Sequence, residues 1–245
     1  MTAKSVRWAH AAGVAFVVLF VVGTIMSFGP QPDFKKHDSP TVVANKIFHT
    51  YNSGSNRAQM VVGAYLLVVS ALALIWFATG LRARMAVAGR PESGGLAFGF
   101  AVLGAAAIAV SGLALATVAG GYVFGNEPLP TNADAIRLFG DFGTALLLVV
   151  FGLTSAALIA VVTVAAWRSA LLPRWLTYAG ILGILGGILA VIFLPIALVA
   201  LWFLAVAVTG LRSIPGVATE TTVEAPGVLI TNGQSQRTEH DLQSR

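Results

Sequence analysis

From Trp175 to Leu211 the chain runs for 37 residues without one charged side chain. As a single helix this block would be ~55 Å long, against a hydrocarbon core of ~30 Å. It therefore has to fold back on itself. Pro195 lies near its middle and has no N–H to give to a helix, so a turn is expected around Phe193 to Pro195, with helices at about 175–193 and 196–211. The second is short, which leaves a re-entrant hairpin as the alternative to two full spans.

Four earlier blocks are each long enough to cross a bilayer. Ala9 to Phe28 is a 20-residue run headed by Lys4, Arg7 and His10, and it reads as a membrane anchor because no small-x-small cleavage site follows it. Met60 to Leu81 ends in Arg82, Arg84 and Arg90. Ser93 to Asn126 carries no charge and exceeds one span, which suits a tilted helix or one with an interfacial extension. Leu138 to Trp167 contains Asp141 near its start and precedes Arg168. With 57% hydrophobic and 10% charged residues, the chain is far from the roughly 25% charge of a soluble domain. The expected fold is an all-α membrane bundle of about six transmembrane helices, over about 9–28, 60–81, 95–121, 139–166, 175–193 and 196–211.

The 15 Lys and Arg sit in ones and twos at block ends, so the net charge of +5 reads as a topology signal and excludes a nucleic-acid-binding stripe. With the N-terminus, the Arg82 to Gly94 loop, the Arg168 to Arg174 loop and the tail on the cytoplasmic side, that side holds 10 of the 15. The bias gives N-in and C-in. Thr79-Gly80-Leu81-Arg82 and Thr209-Gly210-Leu211-Arg212 echo each other, each behind a Trp-Phe pair, Trp76-Phe77 and Trp202-Phe203. Between the first two spans, Ser39-Pro40 has the form of a helix N-cap with Pro at the first helical position. Val43, Ile47 and Tyr51 follow on one face and Asn52-Ser53-Gly54 closes the segment, giving an amphipathic helix at the outer interface. From Ser213 the composition turns polar, and 213–245 reads as a disordered cytoplasmic tail.

Little in the chain points to chemistry. There is no cysteine, hence no thiolate nucleophile or cysteine metal site. The span hydroxyls Ser70, Ser111, Thr154 and Ser155 have no His or acid to activate them, and are expected to bond their own helix carbonyls. No histidine, whether His10, His37, His49 or His240, stands well inside a span, so no haem is expected. Asp33, His37, Asp38 and His49 lack metal-ligand spacing, so no metal is expected either. Small residues line one face of the third span (Ala105, Ala109, Gly112, Ala116, Gly120) and of the fifth (Gly180, Gly183, Gly187), where they permit close helix packing in lipid. Asp141 is the one acid within a span, with Arg137 four residues before it on the same face, placed to form an ion pair. Asp141 and Arg137, with Tyr122, form the candidate polar site.

The Ser39-Pro40 helix start, Asn56-Arg57, Gly80-Leu81-Arg82 and the Leu172-Pro173-Arg174-Trp175-Leu176 turn give a layout over roughly residues 10 to 212. This layout resembles a group of uncharacterised six-helix integral membrane proteins of actinobacteria. The resemblance implies a six-helix bundle in a bacterial plasma membrane and transfers no functional residues. Two readings of function follow. One is a non-enzymatic accessory or assembly component that meets another membrane protein, or its own copy, through small-residue helix faces. The other is a small transporter or solute-binding bundle that uses Asp141 and Arg137. Neither requires a cofactor or nucleic acid, and both take the lipid bilayer as partner.

Overall fold

Apolar blocks mark where a chain can meet lipid, but helices end where a cap or a turn stops the hydrogen-bond ladder. The computed structural model, which describes residues 3–28, 35, 37–125, 132–169, 171–192 and 195–212, shows the difference. Its helices are α1 (Ala3–Phe28), α2 (Pro40–Asn52), α3 (Gly54–Val87), α4 (Pro91–Gly125), α5 (Ala133–Ala145), α6 (Gly152–Ser169), α7 (Arg174–Ile188) and α8 (Ile196–Arg212). A π-helical segment, Leu146–Phe151, joins α5 to α6 without a break, and a 3₁₀ turn, Ala190–Ile192, follows α7. No strand occurs among the described residues.

The long helices outrun their apolar blocks. Ser53 is at once the C-cap of α2 and the N-cap of α3, its hydroxyl accepting from the Asn56 N–H, so α3 starts six residues before Met60. At its other end Arg82 and Arg84 are helical, not loop, and the connection to α4 is only Ala88 to Arg90. Gly89 makes that turn with φ of 75°, a conformation that favours glycine. Asn132 caps α5 by accepting from the Asp134 N–H at 2.8 Å.

Four helical stretches are long and apolar enough to cross a membrane: Arg7–Phe28, Gly54–Val87, Pro91–Gly125 and Ala133–Ser169. The last apolar block does fold back, with Pro195 in the turn before α8, while Phe193 lies outside the described residues. Its two helices have 15 and 17 residues, or about 22 and 26 Å, so each falls short of a ~30 Å core. By length and composition the described residues thus hold four helices fit for a full span and one shorter hairpin, against the six spans expected. The tail from Ser213 also lies outside the described residues.

α3 packs on α1 and α4, α4 on α5 and α6, α6 on α7, α7 on α8, and α8 returns to α1. The centre is aromatic. Phe16 and Phe20 of α1, Phe77 of α3, Phe151 of the π segment and Phe203 of α8 stack with ring centroids 5.0 to 6.4 Å apart. Around this plug the helices touch through small residues. A Cβ on Gly187 would stand 2.6 Å from the Gly152 carbonyl, and one on Gly112 would stand 3.2 Å from that of Ala64. Gly180 and Gly183 press on Thr163 and Ile159 of α6, so the fifth-span glycine face is filled within the chain. Ala105 and Ala116 are buried, Ala109 is half-buried, and Gly120 meets only Phe124 of its own helix.

Candidate functional site

α1 begins and α8 stops at one end of the bundle, and α2 lies at the other. The Ser39 hydroxyl accepts from the Val42 N–H at 3.4 Å with Pro40 at the first helical position, which starts α2 where its sequence calls for a start. Asp38 steadies this entry: it accepts from the Lys35 N–H at 2.8 Å and the Lys46 ammonium at 2.7 Å, which hold its carboxyl below the usual range. Ile47 of α2 packs with Val118 of α4 and Ile136 of α5, with Val43 and Tyr51 alongside. Arg57 locks the far end, donating to the Tyr51 and Asn52 carbonyls at 2.7 and 3.2 Å and stacking 3.7 Å from the centre of the Tyr122 ring. In this way α2 is fastened across the ends of α3, α4 and α5.

Beneath α2 is a cleft of ≈ 310 Å³. Its apolar walls are Phe28, Ile47, Met60, Leu115 and Ile136; its polar groups are Ser27, Tyr51, Thr144, Arg137 and Asp141. No residue of α7 or α8 lines it. The hairpin's short reach explains this. Its 3₁₀ turn stands against Gly152, where Ala190 would meet a Cβ at 2.7 Å. Phe20 and Phe151 stack at that level. Ser27 and Thr144 stand seven residues beyond Phe20 and eight before Gly152, so the cleft lies about 10 to 12 Å farther along the bundle. Above the hairpin tip neither α7 nor α8 reaches the space between α1 and α5.

Of the three polar residues singled out in the sequence, the fold brings two together. Arg137 Nε lies 3.4 Å from Asp141 Oδ2 as an i, i+4 pair at the cleft rim, with the side chains 62% and 70% exposed. The α5 to α6 rod is 37 residues long, roughly 25 Å more than a bilayer core requires, so its first turns can stand in the headgroup layer without burying a charge. Tyr122 is elsewhere, under Arg57 and outside the cleft lining.

Three features escaped the sequence reading. Ser27 lines the cleft and is 2% exposed; its hydroxyl lies against Gly63 of α3 and has no hydrogen-bond partner among the described residues. The Thr24 hydroxyl, one turn deeper and outside the cleft lining, also has no partner among the described residues. Burial pushes the Tyr51 hydroxyl up, so at neutral pH it stays an O–H donor in the cleft wall. At the opposite end His10, which in sequence only heads the first apolar run, is 1% exposed, lies edge-on to Phe77, and its Nε2 accepts from Arg84 Nη1 at 3.1 Å. The echoed glycines carried that signal: a Cβ on Gly210 would strike the His10 ring, and one on Gly80 would strike Ala9.

The hydroxyls correct one further expectation. Ser70 and Thr154 do bond carbonyls of their own helix, but Ser111 donates to the Gly143 carbonyl of α5 at 2.6 Å, because Gly143 lets α5 come within reach. Among the described residues no three His, Cys, Asp or Glu side chains gather as a metal site, and Asp33 of the outer-loop set lies outside them. No family model matches the chain, and neither a curated protein nor a solved structure does.

Proposed function

We propose that the chain is a multi-pass protein of a bacterial plasma membrane, of the actinobacterial six-helix type, that binds a small amphipathic molecule at its outer face. The cleft beneath α2 carries this reading: apolar walls, the Tyr51 side chain among them, and an ion pair at the rim. Binding pockets characteristically combine apolar lining with a few convergent polar groups. The orientation rests on charge. The end at which α1 begins and α8 stops carries Arg7, Arg82, Arg84, Arg90, Arg168 and Arg174, which favours a cytoplasmic position for it and an outer one for α2 and the cleft. The reading is non-enzymatic: Ser70, Thr79, Thr117, Thr144, Thr154 and Ser169 all spend their hydroxyl protons on carbonyls of their own helix.

A single cysteine tests it, because the chain has none of its own. Gly140 lines the cleft and nothing stands within 4 Å of where its Cβ would be. Gly140→Cys is expected to react in intact cells with a membrane-impermeant maleimide, and adding Ile136→Trp to fill the cleft is expected to block the reaction. Labelling only after the cells are opened would reverse the orientation. Labelling indifferent to Ile136→Trp would remove the cleft as a binding site.

One observation favours the accessory-component reading. On α4, Gly95 and Gly99 sit four residues apart on an exposed face, with nothing within 4 Å of either. Such a face admits close approach of another helix in lipid. Single-cysteine cross-linking at Leu96 and Leu103 measures that approach.

A further inference from the structure

We infer that the corner where α6 hands over to α7 is a docking surface for an anionic phospholipid of the leaflet around it. The corner lies at the opposite end of the bundle from the cleft and is independent of it. The first support is charge. From Phe142 to Thr219 the chain contains no Asp or Glu, and within that stretch Arg168 stands in the last turn of α6 and Arg174 opens α7. Both are exposed, and neither has a hydrogen-bond or ion-pair partner among the described residues. The two ion pairs among the described residues, Lys46–Asp38 and Arg137–Asp141, are made at the other end. Guanidinium groups that no carboxylate answers favour an anion, and their fork suits the oxygens of a phosphate. A zwitterionic head would add a cation for which the corner has no acid.

The second support is the aromatic setting, which selects a lipid over a dissolved anion. Trp167 and Trp175 are the chain neighbours of these arginines, and both are exposed. Tyr178, exposed as well, stands edge-on to Trp167 with ring centroids 6.0 Å apart. An indole or a phenol has an apolar body and a polar tip, and it collects where headgroups meet hydrocarbon. With the rings at that boundary, Arg168 and Arg174 stand among the phosphates. The same end exposes Trp8, beside Ala9, and Trp76, one turn from the Gly80 that meets Ala9. Trp202, the fifth tryptophan, is buried, so no tryptophan is exposed at the cleft end.

The third support is that the corner is held in place without a ligand. Leu172 and Leu176 are buried on either side of Pro173, whose carbonyl accepts from the Leu176 and Thr177 N–H groups at 2.9 and 3.2 Å. Gly180 lies against Thr163, which clamps the start of α7 on α6. A surface already in place costs less ordering entropy on binding.

The test reads the tryptophans themselves. In a full chain carrying Trp8→Phe and Trp76→Phe, Trp202 is buried and only Trp167 and Trp175 can meet lipid. That chain is placed in phosphatidylcholine vesicles containing either phosphatidylglycerol or phosphatidylcholine brominated high on its acyl chains, at equal mole fraction. Brominated phosphatidylglycerol is expected to quench as if about fivefold enriched at the corner, the preference that one guanidinium near an anionic surface supplies. Arg168→Gln with Arg174→Gln, both at exposed positions, should bring the ratio to near unity without moving the melting temperature. With all four exposed tryptophans changed to Phe, Tyr65→Trp moves the reporter along α3 toward the cleft end, where a ratio near unity is expected. A ratio near unity in the starting chain would overturn the inference. If that ratio rises once Glu220→Gln and Glu224→Gln remove acids from the tail, the corner belongs to the tail and the inference falls equally. A fivefold ratio that survives the loss of both arginines, or that recurs at Tyr65→Trp, would overturn it by moving the selectivity away from the corner.

Discussion

At the end where α1 begins and α8 stops, α1 lies so close to α3 and α8 that neither Gly80 nor Gly210 has room for a methyl group. At the opposite end α1 and α5 stand apart around a cleft of ≈ 310 Å³ that a 13-residue helix covers. The same helix, α1, forms both regions. Its first half meets partners on two sides because α8 reaches it; its last two turns have lost α8 to the short hairpin. A bundle in lipid gains nothing from hydrophobic exclusion between helices and depends on close packing. Where one helix stops early the packing has to stop too, and the space is either filled by lipid or used.

Substitutions can break this contrast. The largest effect belongs to the aromatic plug. Phe203 touches Phe16, Phe77 and Trp202, and Phe203→Ala is expected to cost roughly 3–5 kcal/mol in detergent unfolding. A loss under about 1 kcal/mol would mean that the centre is less tightly packed than described. Next is volume added at the end where α1 begins: Gly80→Leu drives a side chain into Ala9 and is expected to destabilise by roughly 1–3 kcal/mol, visible as a lower melting temperature. Gly140→Leu, at the cleft, is the matched comparison and should be nearly silent. If the two shift the melting temperature alike, the distinction between the ends disappears.

Arg57→Met gives a smaller and more local change. It removes two carbonyl contacts and the stack on Tyr122, worth about 1–2 kcal/mol to the docking of α2. The expected signature is faster amide exchange in Pro40–Asn52 with global unfolding unchanged. Smallest is Ser27→Ala, which deletes a hydroxyl that has no partner and should change stability by less than ~1 kcal/mol in either direction. Destabilisation by several times that amount would show that the hydroxyl has a structural partner where α1 meets Gly63 of α3.

Much of this architecture is legible in the residues, and what is not has identifiable causes. Block length places the long apolar helices, and Ser39-Pro40 marks the start of α2, because caps and span lengths are local. Pro195 and an overlong block announce the hairpin, yet not its depth. Depth depends on where Gly187 and Ala190 meet Gly152, a contact between residues far apart in the chain. The Arg137–Asp141 pair follows from i, i+4 spacing on one helix. Ser27 and Tyr51 could not be joined to it beforehand, since they arrive from α1 and α2 and their role depends on an absence, that of α8 at their level. His10 was misjudged for a similar reason: its charged neighbours Lys4 and Arg7 suggest water, whereas Gly210, two hundred residues away, provides the recess that buries it.

The π segment at Leu146–Phe151 bears on how this chain tolerates insertion and deletion. A π turn holds one residue more than an α turn, and each residue advances a helix by about 100°. Leu147 and Phe151 face the core from within it, and Thr144, Asp141 and Arg137 follow on the cleft side. Deleting one residue from this segment would restore an ordinary α-helix and leave α6 in register with α7. It would also swing everything before it by about a quarter turn and carry the ion pair off the rim. The extra residue acts as a phase setting, aiming one half of a continuous rod at the cleft while the other half remains packed on its neighbours.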